Sequence, residues 1–255
     1  MKDLPLTPIH EREVTVHNGW IMLPISILLV LLGPTVFIFS IAAGERNDGH
    51  PLWGLFALGL VIILVSIFIL VGFFTLQPNE ARVLILFGAY KGTVRQSGFH
   101  WGNPFYSNGR SGTAAQSAEA PSLAAAKANL SARKSSARNK ISLRARNLNG
   151  DKLKVNDKRG NPIEIAAVVV WRVRDTAQAV FDVDDYENYV RVQSEAAVRH
   201  LASRYAYDHG EEDETTLRGG VDQVSQDLQR ELQERLSKAG VVVDEARLTH
   251  LAYAP

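Results

Sequence analysis

Two long apolar stretches without charge constrain the fold of this chain more than any other feature. Residues 14–44 and 49–79 contain no Lys, Arg, Asp or Glu. A helix of about 20 apolar residues crosses the hydrocarbon core of a bilayer. The sequence therefore predicts two transmembrane helices, at residues 20–43 and 53–74. A cleaved signal peptide is the alternative for the first stretch, but its apolar part is longer than the usual 7 to 15 residues.

The short connection between the two stretches predicts a helical hairpin. Only residues 44–52 join them, so both chain ends are expected on one side of the membrane. The connection carries one basic residue, Arg46, and the other basic residues near the stretches are Lys2, Arg12, Arg82, Lys91 and Arg95. Because cytoplasmic segments carry the excess of Lys and Arg, we expect a two-span protein of the cell membrane with its soluble part in the cytoplasm.

Composition excludes several classes of protein. The chain has no cysteine, which excludes a disulfide scaffold, thiolate metal sites and a cysteine nucleophile. Its formal net charge is only +1, but the charge is unevenly distributed. Residues 110–159 hold 12 basic side chains, whereas residues 160–255 hold 18 acidic and 10 basic ones. Such segregation favours contact with anionic headgroups or packing between neighbouring subunits, and a solvated surface is the simpler alternative.

The patterns divide the chain into a tail at 1–19, a hairpin at 20–76 and a soluble domain at 77–255. Residues 81–87 have the composition of a strand. Residues 107–140 are rich in Ala, Ser, Arg, Lys and Asn and lack an apolar stripe, so we expect a flexible insert there.

The second half of the soluble domain has the pattern of an α+β fold. Strands are predicted at 141–148, 152–156, 163–174 and 241–251, with helices between the last two. Asp175 and either Asp184 or Asp185 are suited to cap two of these helices, and Gly240 to end a third at 220–239. Alternate residues of the longest strand form its core face, and the central ones are Val169, Trp171 and Val173.

A search for catalytic, nucleotide and metal motifs gives no strong candidate. The chain has no Gly-x-Ser-x-Gly, Gly-x-x-x-x-Gly-Lys or Gly-x-Gly-x-x-Gly sequence, and its seven histidines form no His-x-x-x-His pair. The acidic run at 208–214 is the best cation candidate, but its spacing is not that of an EF-hand and a solvated loop is favoured. The basic insert lacks the interleaved aromatics typical of nucleic-acid binding. We therefore expect no catalytic residue, cofactor, metal or nucleic-acid partner.

Three segments resemble the band 7 or SPFH superfamily of stomatins, prohibitins and flotillins. They are GFFTLQPNEARV at 72–83 with GFHW at 98–101, the hairpin at 155–175 ending in VVVWRVRD, and the helices and closing strand at 184–251. The resemblance covers residues 72–103 and 141–255 and is greatest to bacterial two-span members. The insert at 107–140 departs from the pattern, and relatives continue into a coiled-coil helix beyond the position of residue 255.

The resemblance implies a function in organising a membrane. It implies a non-catalytic, homo-oligomeric scaffold that organises membrane microdomains or regulates a membrane protease or another membrane protein. Its expected partners are the lipid bilayer, further copies of the chain, and a membrane protease or channel. Phe73, Phe74 and Leu76 are the expected membrane exit and lipid contacts. The alternatives are a stomatin-type regulator of channels or transporters and a membrane-bound hydrolase with an unrecognised site.

Overall fold

The computed structural model describes residues 9–45, 52–106, 140–208 and 215–254. The predicted insert, apart from Lys140, and residues 209–214 of the acidic run lie outside these ranges. The chain divides into two compact units, Glu13–Asn108 and Met1–Arg12 with Gly109–Pro255. Sequence patterns placed a boundary after residue 76, whereas in the structure the strands up to Trp101 belong to the same unit as the apolar helices.

The apolar stretches form two helices, α1 (Gly19–Glu45) and α2 (Trp53–Val71). Both are long and apolar enough to cross a membrane by length and composition. At 1.5 Å per residue, the 19 residues of α2 rise about 28 Å. This helix ends three residues before the predicted residue 74, because Phe73 already pairs as a strand.

The two helices contact each other along a seam of small residues. The buried positions described in the helices repeat every seven residues, and they are Gly19, Ser26, Gly33 and Ser40 in α1 and Gly59 and Ser66 in α2. Gly33 and Gly59 lie against the other helix, whereas Gly19 lies against the Phe99 ring. A seven-residue repeat keeps one stripe of a helix facing its neighbour, and small side chains let two backbones approach closely. Each serine satisfies its own hydroxyl by donating to the carbonyl three residues earlier.

Five strands complete the unit Glu13–Asn108. They are β1 (His17–Asn18), β2 (Phe73–Leu76), β3 (Glu80–Leu86), β4 (Ala89–Val94) and β5 (Gly98–Trp101). β5 lies between β1 and β2 and is antiparallel to both. β3 and β4 form a hairpin whose turn is Phe87–Gly88, both with positive φ. β3 confirms the strand predicted at 81–87 to within one residue.

The second unit is a sheet covered by helices. Its elements are β6 (Lys140–Ser142), β7 (Arg146–Asn149), β8 (Leu153–Asn156), β9 (Pro162–Val173), α3 (Thr176–Phe181), α4 (Tyr186–Arg204), α5 (Val221–Leu236), a 3₁₀ turn (Ser237–Ala239) and β10 (Val241–Tyr253). β9 lies between β10 and β7 and also pairs with β8, always antiparallel. The single strand predicted at 141–148 is wrong, because a turn in which the Arg144 N–H donates to the Ser142 hydroxyl separates β6 from β7.

The predicted core face of β9 is confirmed. Its alternate residues are at most 5% exposed, and they are Ile163, Ile165, Ala167, Val169, Trp171 and Val173. On the opposite face Ala166 is buried, but Val168 and Val170 are only half-buried, so coverage of that face is incomplete. The α+β class follows from this antiparallel sheet and the helices beside it.

Helix ends in this unit follow the predicted caps. Asp175 accepts from the backbone N–H groups of the first turn of α3, and Asp185 does the same for α4. Gly240 takes the left-handed conformation at φ 65°. The α5 stripe is buried at Val224, Leu228, Leu232 and Leu236, but Val221 is 48% exposed because it is the first residue of the helix.

Two glutamines of α5 protect the edge strand β10. The Gln229 side chain donates to the carbonyls of Val243 and Asp244 at 3.2 and 3.0 Å. Gln233 accepts from the Val243 N–H at 2.9 Å and donates to the Val241 carbonyl at 3.3 Å. An edge strand otherwise presents such groups to other chains. The glutamines therefore stabilise the sheet and close the first part of its edge.

A buried carboxylate organises the turn between β8 and β9. Asp157 is 4% exposed, and its oxygens accept from the backbone N–H groups of Arg159, Asn161 and Tyr207 and from the Asn161 side chain. Burial acts to raise the pKa of Asp157, but the hydrogen bonds from Asn161, Tyr207 and Arg159 outweigh it and lower the pKa. Asp157 thereby ties the turn to the chain after α4.

Replacing this carboxylate should destabilise the second unit. Asp157→Ala leaves four donors without their acceptor, so we expect the free energy of unfolding at pH 7 to fall by about 2 kcal/mol. A lowered pKa gives a contribution that is present above the unfolded pKa and is lost as the pH falls through the folded pKa. The difference from wild type should therefore shrink in acid. Urea titration of the full chain in nanodiscs, followed by tryptophan fluorescence, measures both effects, with the exposed Asp151→Ala as control.

The helix seam predicts different effects for two glycines of α2. A Cβ at Gly59 would lie 2.8 Å from the Phe37 backbone nitrogen, whereas a Cβ at Gly54 would have nothing within 4 Å. We expect Gly59→Leu to separate the helices and destabilise the hairpin by about 1–3 kcal/mol. Thermal unfolding in detergent by circular dichroism tests this, and equal effects of Gly59→Leu and Gly54→Leu would contradict the seam.

Candidate functional site

The residues predicted at the membrane exit lie on β2, which follows α2 after one residue, Gly72. Phe74 and Leu76 are each 4% exposed and pack with Leu84 and Val94. Side chains so buried have little surface to offer lipid, so the structure corrects the expected lipid contact for these two residues to a core position. Phe73 is half-buried and stacks on Phe99 at a centroid distance of 5.2 Å.

Hydrogen bonds fix the end of α2 to β5. The Trp101 indole N–H donates to the Ile69 carbonyl at 2.8 Å, and the Gly102 N–H donates to the Gly72 carbonyl at 3.0 Å. The Ile69 carbonyl also accepts from the Gly72 N–H at 3.1 Å, so the Trp101 bond is a second one to that oxygen, whereas the Gly102 bond pairs the carbonyl of the residue that ends the helix. A Cβ at Gly72 would lie 2.5 Å from the Gly102 carbonyl oxygen, so only glycine fits this approach.

The start of α1 is fixed to the same strand. His17 and Asn18 pair with Trp101 and His100 of β5, and α1 begins at the next residue. The Asn18 side chain accepts from the Trp20 N–H at 2.9 Å, which caps the first turn. Both ends of the helical hairpin therefore meet at β5, and we call β1, β5 and β2 the joint sheet.

The predicted core residues on β9 pack in the interior of the second unit. Val169, Trp171 and Val173 are buried, and the Trp171 ring meets the Tyr186 ring edge-on at 6.2 Å. The Arg146 guanidinium lies over both rings, at 5.5 and 5.8 Å, and forms an ion pair with Glu187. Burial raises the pKa of Tyr186 and opposes its ionisation. This cluster joins β7, β9 and α4.

Polar pairs between α4 and α5 are also explained by packing. The Tyr205 hydroxyl donates to Asp227, and this bond raises the pKa of Tyr205 and lowers that of Asp227. His200 contacts Glu231 at 2.8 Å, and Arg235 contacts the same carboxylate at 2.7 Å. No group of three or more His, Asp or Glu in the described residues is arranged to hold a metal ion.

The buried hydroxyl of Ser194 is the described group to test against the alternative that this chain is a hydrolase. Ser194 is 5% exposed, and within the described part of the chain its Oγ has no hydrogen-bond partner. It lines a cavity of ≈ 30 Å³ between α4 and the sheet. A serine nucleophile needs an adjacent base. No histidine is among the described residues lining this cavity, which are Leu148, Asn149, Gly150, Asp151, Leu153, Ala167, Val169, Arg191, Ser194, Glu195 and Val198.

The joint sheet predicts a specific effect of Trp101. Trp101→Phe keeps an aromatic ring but removes the donor to Ile69, so we expect a loss of about 1 kcal/mol and faster amide exchange in the last turn of α2 and in β5. Hydrogen-exchange mass spectrometry in nanodiscs measures this. Trp53→Phe, at the opposite end of α2, is the control, and equal exchange in both variants would contradict the role of Trp101.

Comparison with known proteins identifies the family. The model of the SPFH domain / Band 7 family matches residues 74–255, which is more than half of the chain. A search of curated proteins gave no match. Members of the family are generally membrane-associated scaffolds without catalytic activity. The match begins within β2, at the joint sheet, and includes the part of the second unit from Gly109 to Pro255. With its two apolar helices in front of this domain, the chain belongs to the SPFH domain / Band 7 family.

Proposed function

We propose that this protein is a membrane-anchored scaffold whose copies associate side by side and organise a membrane microdomain or regulate a membrane protease or another membrane protein. The observation that carries the proposal is the joint sheet. It fixes both ends of the helical hairpin to β5 through backbone pairing and the Trp101 bond to Ile69. A flexible tether would only localise the strands next to the helices, whereas a fixed joint also sets the orientation of these strands at the bilayer, which lateral assembly requires.

Contacts of the N-terminal flank support a hairpin with both ends on one side of the membrane. Glu11 precedes α1, and its carboxylate accepts from the Thr176 N–H at 2.7 Å and from the Thr176 hydroxyl at 2.9 Å. The Glu11 N–H donates to Asp175 at 3.1 Å. A residue before the first span can reach a residue after the second only when both lie on the same side. We place that side in the cytoplasm from the distribution of basic residues.

The charge distribution supports assembly between copies. The basic residues at 110–159 and the acidic excess at 160–255 give one chain two zones of opposite sign. Zones of opposite sign attract when a copy meets its neighbour head to tail, and many weak contacts add up in a membrane plane.

Particle mass and its salt dependence test the proposed function. The full chain is extracted in native nanodiscs and measured by mass photometry at about 0.1 M and 1 M NaCl, between which the Debye length falls from about 10 to 3 Å. We expect multi-copy particles at low salt and smaller ones at high salt. Particles that hold one copy at both salt concentrations would contradict assembly by this chain. Ion flux through the reconstituted protein alone would instead favour a channel.

A further inference from the structure

Residue 87 combines backbone strain with an exposed apolar side chain. Phe87 is 84% exposed, more than any other large apolar residue in the described part of the chain. It begins the turn between β3 and β4, where Phe87 has φ 49° and Gly88 has φ 83°. A two-residue hairpin turn with positive φ at both positions favours Asn-Gly, and a bulky residue there is strained. The geometry of the turn itself does not favour a phenylalanine at this position.

An aromatic ladder connects this turn to the outer surface of α2. The Phe87 ring lies 6.1 Å from the Phe105 ring, which lies 5.9 Å from the Phe68 ring. Phe105 and Phe68 are themselves 55% and 52% exposed. Phe68 is on the last turn of α2, and the Phe105 turn is held by the Tyr106 N–H donating to the Asn103 carbonyl. We call Phe68, Phe105 and Phe87 the aromatic ladder.

A second set of rings lies at the same end of the hairpin. Trp20, in the first turn of α1, is 69% exposed and meets Phe99 edge-on at 5.5 Å. Phe99 stacks on Phe73 of β2. Aromatic side chains gather where a membrane span passes through the headgroup region. The hairpin end next to the joint sheet therefore has aromatic residues beside both helices, and on the α2 side they continue to the tip of the β3–β4 turn.

We propose that the β3–β4 turn is a third membrane contact, in which Phe87 and Phe105 enter the boundary between headgroups and acyl chains beside α2. This inference rests on the proposed function, because it requires the helices to cross a bilayer. The occupant is lipid because the ladder is continuous with the exposed apolar surface of α2 through Phe68. Lys91, exposed on β4, is close enough in sequence to meet an anionic headgroup.

A third contact does what two adjacent helices cannot. Packed helices are only about 8–10 Å apart. A hairpin therefore gives only weak resistance to rocking about the line that joins its two helices. A contact displaced from that line fixes the remaining tilt. The aromatic ladder would thus set the orientation of the sheet strands on the bilayer, which explains why a strained aromatic stands where Asn would relieve the turn.

Spin labelling measures the position of residue 87 directly. The chain has no cysteine, so Phe87→Cys gives a single thiol for a nitroxide label. The full chain is placed in nanodiscs of phosphatidylcholine and phosphatidylglycerol, and relaxation by oxygen, which enters lipid, is compared with relaxation by a water-soluble nickel chelate. Val65→Cys, 44% exposed on α2, is the lipid control, and Val192→Cys, 49% exposed on α4, is the water control.

The outcomes separate lipid, water and protein contact. We expect the label at position 87 to resemble that at 65, with high oxygen and low nickel accessibility. Accessibility like that at 192 would overturn the third contact, and low accessibility to both reagents would overturn it in favour of a second copy. If the label at 65 is itself accessible to nickel, the membrane anchor fails as well, so failure of this inference and of the proposed function are distinguishable.

A second variant separates a lipid contact from a role in folding. Phe87→Asn introduces the preferred Asn-Gly turn, so the thermal midpoint in nanodiscs should stay equal or rise. With the lipid contact removed, a label at Phe105→Cys in this background should become more accessible to nickel. A lower midpoint with unchanged accessibility at position 105 would show instead that Phe87 serves the fold.

Discussion

The pairing of β5 with both β1 and β2 is the constraint on which the unit Glu13–Asn108 depends. The last carbonyls of a helix have no donor in a following turn and need one from elsewhere. The Trp101 indole and the Gly102 N–H supply donors at the end of α2, while β1 joins α1 to the same strand. The chain must therefore pass from helix to strand within one residue. That requirement makes Gly72 indispensable, and it moves Phe74 and Leu76 into the core.

The helical seam provides the rigidity that the joint sheet transmits. In lipid, apolar side chains gain little by leaving their surroundings, so helices associate through close packing. Gly33 and Gly59 allow this approach: a Cβ at Gly33 would lie 2.8 Å from the Ile63 side chain, and one at Gly59 would lie 2.8 Å from the Phe37 backbone. Larger side chains remain on the outside. Two helices held along a seam and fixed at one end behave as one anchor.

Local sequence rules predicted correctly the elements that are determined by interactions between neighbouring residues. The alternation along β9, the capping by Asp175 and the stop at Gly240 each follow from a few neighbouring residues, and all three are confirmed. The end of α2 was misplaced because its cause, Trp101, lies 32 residues away. The seam was missed although it was readable, since small residues repeat every seven positions within apolar stretches that hydropathy alone treats as uniform.

The candidate site could be predicted less well than the fold, because it consists of exposed side chains on the surface and not of a motif. Buried polar groups such as Asp157 and Asp227 have partners within the fold, and their shifted pKa values are explained by those partners. Perturbed groups at a catalytic centre face a cavity and a substrate, and neither carboxylate lines the cavity beside Ser194. The residue that breaks a local rule is Phe87, at the surface. Sequences that specify one fold tend to break local rules where function requires it. The contacts that we propose for this chain therefore lie on its outer surfaces, which ring distances and exposure describe and sequence motifs do not.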